Sequence, residues 1–180
     1  MDAEDARLPR GVVVPEPPPV TVHFDGACQT VGHRRVAAYG CTIEGVGLAH
    51  EEFDLAVPPG HPRSTNNVAE YVGAIRALEW LAALPYAGPV VVLGDSELVI
   101  HQMNGDYAVH AEHLRPYHER LRQLAGRFAS VEFRWIPREE NRRADALSKA
   151  GIESVGFVVP RGPPAPDDGD DAEAPDGAPD

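Results

Sequence analysis

The sequence predicts an α/β fold in which helices cover both faces of a mixed β-sheet. Three strand-like segments follow one another directly, which favours an antiparallel meander. Residues 89–93 are apolar throughout, as expected of a central strand that is buried on both faces. Segments with helical periodicity then alternate with strands. The predicted order of elements is βββαβααβα, and it indicates a five-stranded mixed sheet.

The first three strands are predicted from alternation of apolar and polar side chains and from turn residues. Residues 20–24 alternate and end at Asp25-Gly26, which predicts a strand followed by a turn. Residues 36–43 and 48–56 flank a short glycine-containing turn and predict strands two and three. Residues 131–136 predict the last of the five strands.

Four helices are predicted from the spacing of apolar residues. The longest, at 66–83, has Val68, Val72, Ile75 and Leu78 on one stripe and is ended by Pro85. The other three helices are expected at residues 96–103, 112–127 and 141–151. The second of these carries a proline in its first turn, where a missing N–H is tolerated.

The charge is distributed unevenly along the 180 residues. The net charge is −12, and residues 156–180 hold seven acids and one arginine, so half of the charge lies there. This predicts a flexible leader at 1–19, a folded domain at 20–155 and an acidic, Pro/Gly-rich disordered tail at 156–180. A net acidic chain is unlike a generic nucleic-acid binder, but residues 20–155 carry only −4.

The sequence contains no apolar run of eighteen residues and no secretory signal, so neither a membrane span nor export is expected. A cytoplasmic location is therefore predicted. Cys28 and Cys41 are expected to be reduced thiols there, although a disulfide between neighbouring strands is a geometric alternative.

Four acidic residues occupy informative positions. Asp25 and Asp95 each follow a predicted strand, and the carboxyl ends of parallel strands meet in the crevice where ligands bind. Glu70 lies early in the long helix on its inward face, and Asp145 lies early in the last helix. Any single one could be a turn or cap residue. Together they predict a site for divalent cations, which relieve the mutual repulsion of clustered carboxylates.

Four segments in order resemble type 1 ribonuclease H over about residues 20–151. They are Phe24-Asp25-Gly26-Ala27, Ser64-Thr65-Asn66-Asn67-Val68-Ala69-Glu70, Gly94-Asp95-Ser96 and Pro137-Arg138-Glu139-Glu140-Asn141-Arg142-Arg143-Ala144-Asp145. The resemblance implies sheet order 3-2-1-4-5 and catalytic metal ligands at Asp25, Glu70, Asp95 and Asp145. It also implies that the following residues contact an RNA–DNA hybrid: Gly26, Ala27, Cys28, Asn66 and Asn67.

The implied activity is hydrolysis of the RNA strand of RNA–DNA hybrids by two Mg²⁺ ions, with Mn²⁺ as an alternative. The products would carry 5′-phosphate and 3′-hydroxyl ends. Two other functions stay open, namely a nuclease of the same fold acting on DNA and a weakly active hybrid-binding module. No obligate protein partner is evident from the sequence, and a monomer is expected.

Two features depart from the pattern of many family members. Residues 105–116 carry no lysine and one arginine, so the chain resembles compact forms that lack a basic handle. Salt-sensitive, weaker binding is therefore predicted. A histidine often stands ten residues before the last ligand, where this chain has Trp135. Glu139, Glu140 and Asn141 are the candidate auxiliary residues, and the two glutamates could instead be helix-start acids favoured by the helix dipole.

Four arginines near the last motif have two open interpretations. They could contact phosphates, or they could pair with Glu139 and Glu140. The four are Arg134, Arg138, Arg142 and Arg143.

Overall fold

The structure is a computed structural model that describes residues 17–31 and 33–156. The strands are β1 (Val20–Val31), β2 (Arg34–Gly45), β3 (Leu48–Leu55), β4 (Pro89–Gly94) and β5 (Ser130–Trp135). The helices are α1 (Asn66–Ala82), α2 (Glu97–Asn104), α3 (Arg115–Ala125) and α4 (Arg142–Glu153). A short 3-10 helix, Arg138–Glu140, precedes α4.

The sheet has the order β3-β2-β1-β4-β5, which confirms the predicted mixed topology. β1, β2 and β3 form the antiparallel meander, whereas β4 and β5 run parallel to β1. The parallel pairing of β1 with β4 places Phe24 opposite Gly94, the last residue of β4, so that Asp25 and Asp95 follow side by side. This is the arrangement that the positions of Asp25 and Asp95 required.

β1 is longer than predicted, because Asp25-Gly26 is not a turn. β2 pairs with β1 residue by residue as far as Val31, whereas the ladder between β1 and β4 ends at Phe24, opposite Gly94. The antiparallel partner therefore keeps β1 extended beyond the point where β4 stops. Asp25 lies at this point of divergence, in the middle of a strand and not at its end.

Helices cover both faces of the sheet around this point. Asp25 and Gly40 are direct partners and face α4, where a Cβ on Gly40 would lie 2.5 Å from the backbone nitrogen of Ser148. Gly26 faces α1 on the other side, and a Cβ there would lie 2.7 Å from the carbonyl carbon of Ala69. Both helices therefore approach the strands more closely than a side chain would allow.

The core lies mainly between α1 and the central strands. Val22, Phe24 and Val92 are fully buried, and the inward face of α1 includes Glu70, as predicted. The remaining buried residues on that face of α1 include Ala74, Ala77 and Leu81. A carboxylate is thus built into an otherwise apolar helix face.

Several element boundaries differ from expectation for local reasons. α3 begins at Arg115 and not at 112, because Pro116 favours the first helical turn and cannot continue a helix from upstream. Both cysteines are free thiols. No helix within 17–31 and 33–156 is long and apolar enough to cross a membrane. The expected leader and tail lie almost wholly outside the described residues, so these domain limits stay predictions.

Candidate active site

Three of the four predicted carboxylates converge where β1 and β4 part. Asp25, Glu70 and Asp95 each direct one carboxylate oxygen to a common point, and these oxygens lie within 4.8 Å of one another. Asp25 comes from β1, Asp95 directly follows β4, and Glu70 reaches the site from the first turns of α1. Three acids from three separate parts of the chain therefore form one cluster.

Asp25 is held against α4. Its side chain is only 3% exposed, and the Ser148 hydroxyl donates a hydrogen bond to its Oδ2. Burial raises the pKa of Asp25 to about 7, since a charge is poorly solvated there. The Ser148 hydrogen bond opposes this rise, while the negative charges of Asp95 and Asp145 add to it.

Glu70 is the second buried acid of the cluster. The nearby backbone N–H of Gly26 favours the charged form of its carboxylate, yet its Oε2 is buried with no hydrogen-bond partner among the described residues. Burial raises the pKa of Glu70 well above its usual range, and repulsion from Asp25 and Asp95 raises it further. An unpartnered buried carboxylate oxygen is unfavourable unless a cation or water satisfies it.

Asp95 is oriented by side chains from the last motif. Asn141 is buried, and its Nδ2 donates to Asp95 Oδ1 at 2.8 Å and to the carbonyl of Phe24 at 2.8 Å. The indole Nε1 of Trp135 donates to the backbone carbonyl of Asp95 at 3.1 Å. Ser96 supplies the N-cap of α2, so Asp95 is free of that role.

Asp145 lies beside the cluster and is paired with two cations. Arg138 and Lys149 donate to its two carboxylate oxygens at 2.7 and 2.6 Å. Burial by itself would raise the pKa of Asp145, but the hydrogen bonds from these two cations outweigh it and leave the pKa below its ordinary value. Asp145 is therefore outside the group of three converging oxygens but close enough to influence Asp25 electrostatically.

The predicted substrate-contacting residues lie around this cluster. Asn66 and Asn67 begin α1 and are partly exposed, but the N-cap is Thr65, whose hydroxyl accepts from Val68 N at 3.2 Å. Within the described chain, neither asparagine amide has a hydrogen-bond partner. The amides of Asn66 and Asn67 are therefore not used to cap α1.

The segment before Asp145 begins at the end of β5. Trp135, ten residues before Asp145, is the last residue of that strand. Glu139 and Glu140 are exposed in the 3-10 helix. Arg138, in the same 3-10 helix, donates to Asp145, and Asn141, directly after it, donates to Asp95. Arg134 and Arg143 pair with Glu132 and Glu51, so pairing with Glu139 and Glu140 carboxylates is not seen.

Sequence reasoning missed Ser148, which contacts the buried carboxylate of Asp25. A signal was available, because Ser148 follows Asp145 by three residues and so lies on the same side of a helix. The combined donor set consists of carboxylate oxygens, including the unpartnered Oε2 of Glu70. This set fits Mg²⁺ or another hard divalent cation, which prefers oxygen ligands.

Comparison with known proteins agrees with this geometry. A family model described as reverse transcriptase-like matches residues 24–151. A ribonuclease H of Chromobacterium violaceum is 31% identical over 153 residues, covering 76% of this chain and 96% of that relative. The chain belongs to the type 1 ribonuclease H family. Its segment between α2 and α3 contains no helix, which agrees with the compact form of the family.

Two further family members define how far the likeness extends. A bifunctional protein of Mycobacterium tuberculosis is 37% identical over 93 residues, which are 52% of this chain and 25% of that relative. The match thus spans only a quarter of the mycobacterial protein. The structure of LC11-RNase H1 in complex with an RNA/DNA hybrid is similar to this chain, with a TM-score of 0.66 and 30% sequence identity. The match covers 77% of the present chain and 99% of LC11-RNase H1.

Proposed function

We propose that this chain is an endonuclease that hydrolyses the RNA strand of RNA–DNA hybrids with two divalent metal ions, leaving 5′-phosphate and 3′-hydroxyl ends. The observation that carries the proposal is the convergence of Asp25, Glu70 and Asp95 within 4.8 Å in a ribonuclease H fold. The related LC11-RNase H1, which was solved with an RNA/DNA hybrid, supports the choice of substrate.

The metal ligands proposed are Asp25, Glu70, Asp95 and Asp145, with Mg²⁺ as the ion and Mn²⁺ as an alternative. Two buried carboxylates with raised pKa values and one unpartnered oxygen form a site that a divalent cation would stabilise. When bound, the ions supply the Lewis acidity that activates water and stabilises the leaving oxygen in phosphodiester hydrolysis.

The contribution of the protein is to hold these oxygens in place before substrate arrives. Ser148 fixes Asp25, and Asn141 fixes Asp95 while also bonding to the strand beside it. Arg138 and Lys149 keep Asp145 ionised, as its lowered pKa indicates. Orientation by surrounding hydrogen bonds is how metal ligands are commonly held at productive geometry.

Recognition of the hybrid is assigned to the surface next to the cluster. Asn66 and Asn67 offer both donors and acceptors, and Thr65 leaves them available by capping α1. The backbone of Gly26, Ala27 and Cys28 lies on the stretch of β1 that continues past β4. Polar groups of this kind suit a wide, shallow minor groove, where the 2′-hydroxyl distinguishes RNA from DNA.

The decisive experiment compares matched RNA–DNA, RNA–RNA and DNA–DNA duplexes, each labelled on either strand, in Mg²⁺ or Mn²⁺. We expect the chain to cut only the RNA strand of the hybrid and the Asp95→Asn variant to lose this activity. End analysis of the products should show 5′-phosphates. Cleavage of DNA would instead support a DNA-directed nuclease, and hybrid binding without cleavage would support a binding module.

Two further expectations accompany this function and stay predictions, namely a monomeric state and a cytoplasmic location. Size-exclusion chromatography with light scattering would test the first, and fractionation of the source cells would test the second.

A further inference from the structure

One part of this acidic chain contains no acidic residue. Residues 26–43 and 55–69 hold no aspartate or glutamate, although the whole chain has a net charge of −12. The same two segments contain Arg34, Arg35 and Arg63, all of which are exposed. These segments also include the predicted hybrid-contacting residues, so the formal charge of the two segments next to the proposed substrate surface is positive.

Backbone hydrogen bonds hold the two segments together. Gly60 N donates to the carbonyl of Arg35 at 2.8 Å, and Ala56 N donates to that of Ala37 at 2.8 Å. The side chain of Arg34 runs beside Gly60, since a Cβ there would lie 3.6 Å from Arg34 Cγ. The start of β2 and the loop before α1 therefore form one surface.

Arg35 is directed toward the stretch of β1 that follows Asp25. Its guanidinium lies close enough to the thiol of Cys28 to lower the pKa that burial raises, and this thiol donates a hydrogen bond to the carbonyl of Ser64 at 3.2 Å. Arg35 pairs across the sheet with Thr30, which puts it on the same face as Cys28 and the beginning of α1. This contact ties the arginine to residues assigned to substrate contact.

Neither Arg34 nor Arg35 has a carboxylate partner within 17–31 and 33–156, whereas several other exposed arginines do. Arg76, Arg134 and Arg143, for example, pair with glutamates. Neighbouring strand residues point to opposite faces of a sheet, so Arg35 lies on the face of α1, whereas Arg34 lies beside Gly60 in the loop before α1. Leaving both arginines unneutralised at the border of a substrate surface favours an anionic ligand, because guanidinium groups match phosphate in geometry and charge.

We propose that Arg34 and Arg35, here called the arginine pair, bind backbone phosphates of the nucleic acid that occupies the carboxylate site. The proposal rests on the proposed hybrid substrate. Thr30, opposite Arg35, lies five residues along β1 from Asp25, or about 17 Å at the usual strand rise. That distance corresponds to roughly five nucleotide steps. The arginine pair thus binds the duplex beside the meander of β1, β2 and β3. It supplies phosphate contacts in a chain whose residues 105–116 do not form a basic handle.

The test measures hybrid binding by the full chain as a function of salt. All proteins carry Asp95→Asn so that the RNA stays intact in constant Mg²⁺, and Arg34→Gln and Arg35→Gln are compared with that parent. Each lost phosphate contact should reduce the slope of log affinity against log salt by about 0.9, which weakens binding roughly eightfold near 0.1 M salt. Arg35→Lys should restore most of the slope, because it keeps the charge.

Arg127→Gln is the matched control, since it removes the same charge from an exposed residue just before β5, at the end of the sheet away from Asp95. Its slope should equal that of the parent, and melting temperatures should show that all variants fold. Slopes for the Arg34 and Arg35 variants that match the Arg127 variant would overturn the proposal. If the parent bound a DNA–DNA duplex as tightly as the hybrid, and the Arg34 and Arg35 variants lost the same slope on both, phosphate binding by the arginine pair would be supported. The proposed preference for an RNA–DNA hybrid would then be contradicted. A parent that binds no duplex would overturn both.

Discussion

The raised pKa of Asp25 makes a quantitative prediction about the metal-free protein. An acid whose pKa is higher in the folded than in the unfolded state stabilises the fold at low pH. That stability is fully present below the unfolded pKa of 3.8 and is lost as pH rises through the folded value of about 7. In the presence of a chelator, the protein should therefore become less stable as pH increases over this window.

The size of the effect follows from the two pKa values. A rise from 3.8 to about 7 corresponds to about 4 kcal/mol in the free energy of unfolding, of which about 3 kcal/mol is lost between pH 5 and pH 8. Replacing Asp25 by Asn removes the titrating group but keeps an oxygen that can accept from Ser148. Between pH 5 and pH 8, the free energy of unfolding of Asp25→Asn should therefore fall by about 3 kcal/mol less than that of the parent.

The assay is urea unfolding at pH 5 and pH 8 in EDTA, repeated with Mg²⁺. Asp54→Asn is the control, since Asp54 is exposed on β3 and its substitution should leave the pH dependence unchanged. Mg²⁺ should stabilise the parent more at pH 8 than at pH 5, because the ligands are then ionised. If the free energy of unfolding changed equally with pH in the parent and in Asp25→Asn, the negative charge of the buried Asp25 would not destabilise the fold, and the reasoning would be refuted.

Three further predictions concern the geometry around the cluster. Gly26→Ala should reduce stability by about 1–3 kcal/mol in thermal or urea unfolding, because its Cβ would overlap the backbone of α1. Asn141→Ala should lower cleavage of the hybrid at least tenfold, since Asp95 loses a hydrogen bond that orients it, and should cost about 1–2 kcal/mol of stability. Gln at both Glu139 and Glu140 should lower turnover without weakening hybrid affinity, if these acids assist proton transfer.

Each of these predictions has a control and a contrary result. Gly105→Ala adds a methyl group with no atom within 4 Å, although its φ of 82° makes some strain unavoidable, so it separates strain from overlap. Activity of Asn141→Ala equal to the parent would show that Asp95 is oriented by other contacts. Unchanged turnover in the double glutamine variant would leave Glu139 and Glu140 as ordinary helix-start acids.

The sequence by itself predicted the class of fold, the order of the elements along the chain and the four candidate carboxylates. These features depend on local periodicity and on short motifs in a fixed order, both of which can be recognised in the linear sequence. The inward position of Glu70 could be predicted because helical spacing places it with Ala74 and Leu81. The resemblance then supplied the pairing of β1 with β4, which the structure confirms.

Only the tertiary structure decided how the carboxylates are held and which residues neutralise them. Asp25 proved to lie within a continuous strand, because β2 extends β1 beyond β4. Ser148 and Arg138 each bond to a predicted ligand, in contacts 123 and 7 residues apart along the chain. Periodicity describes neighbours along one element and cannot report such contacts, since packing between α4 and the sheet sets them. The same packing buries Asp25 and so determines the pKa that a metal ion would lower.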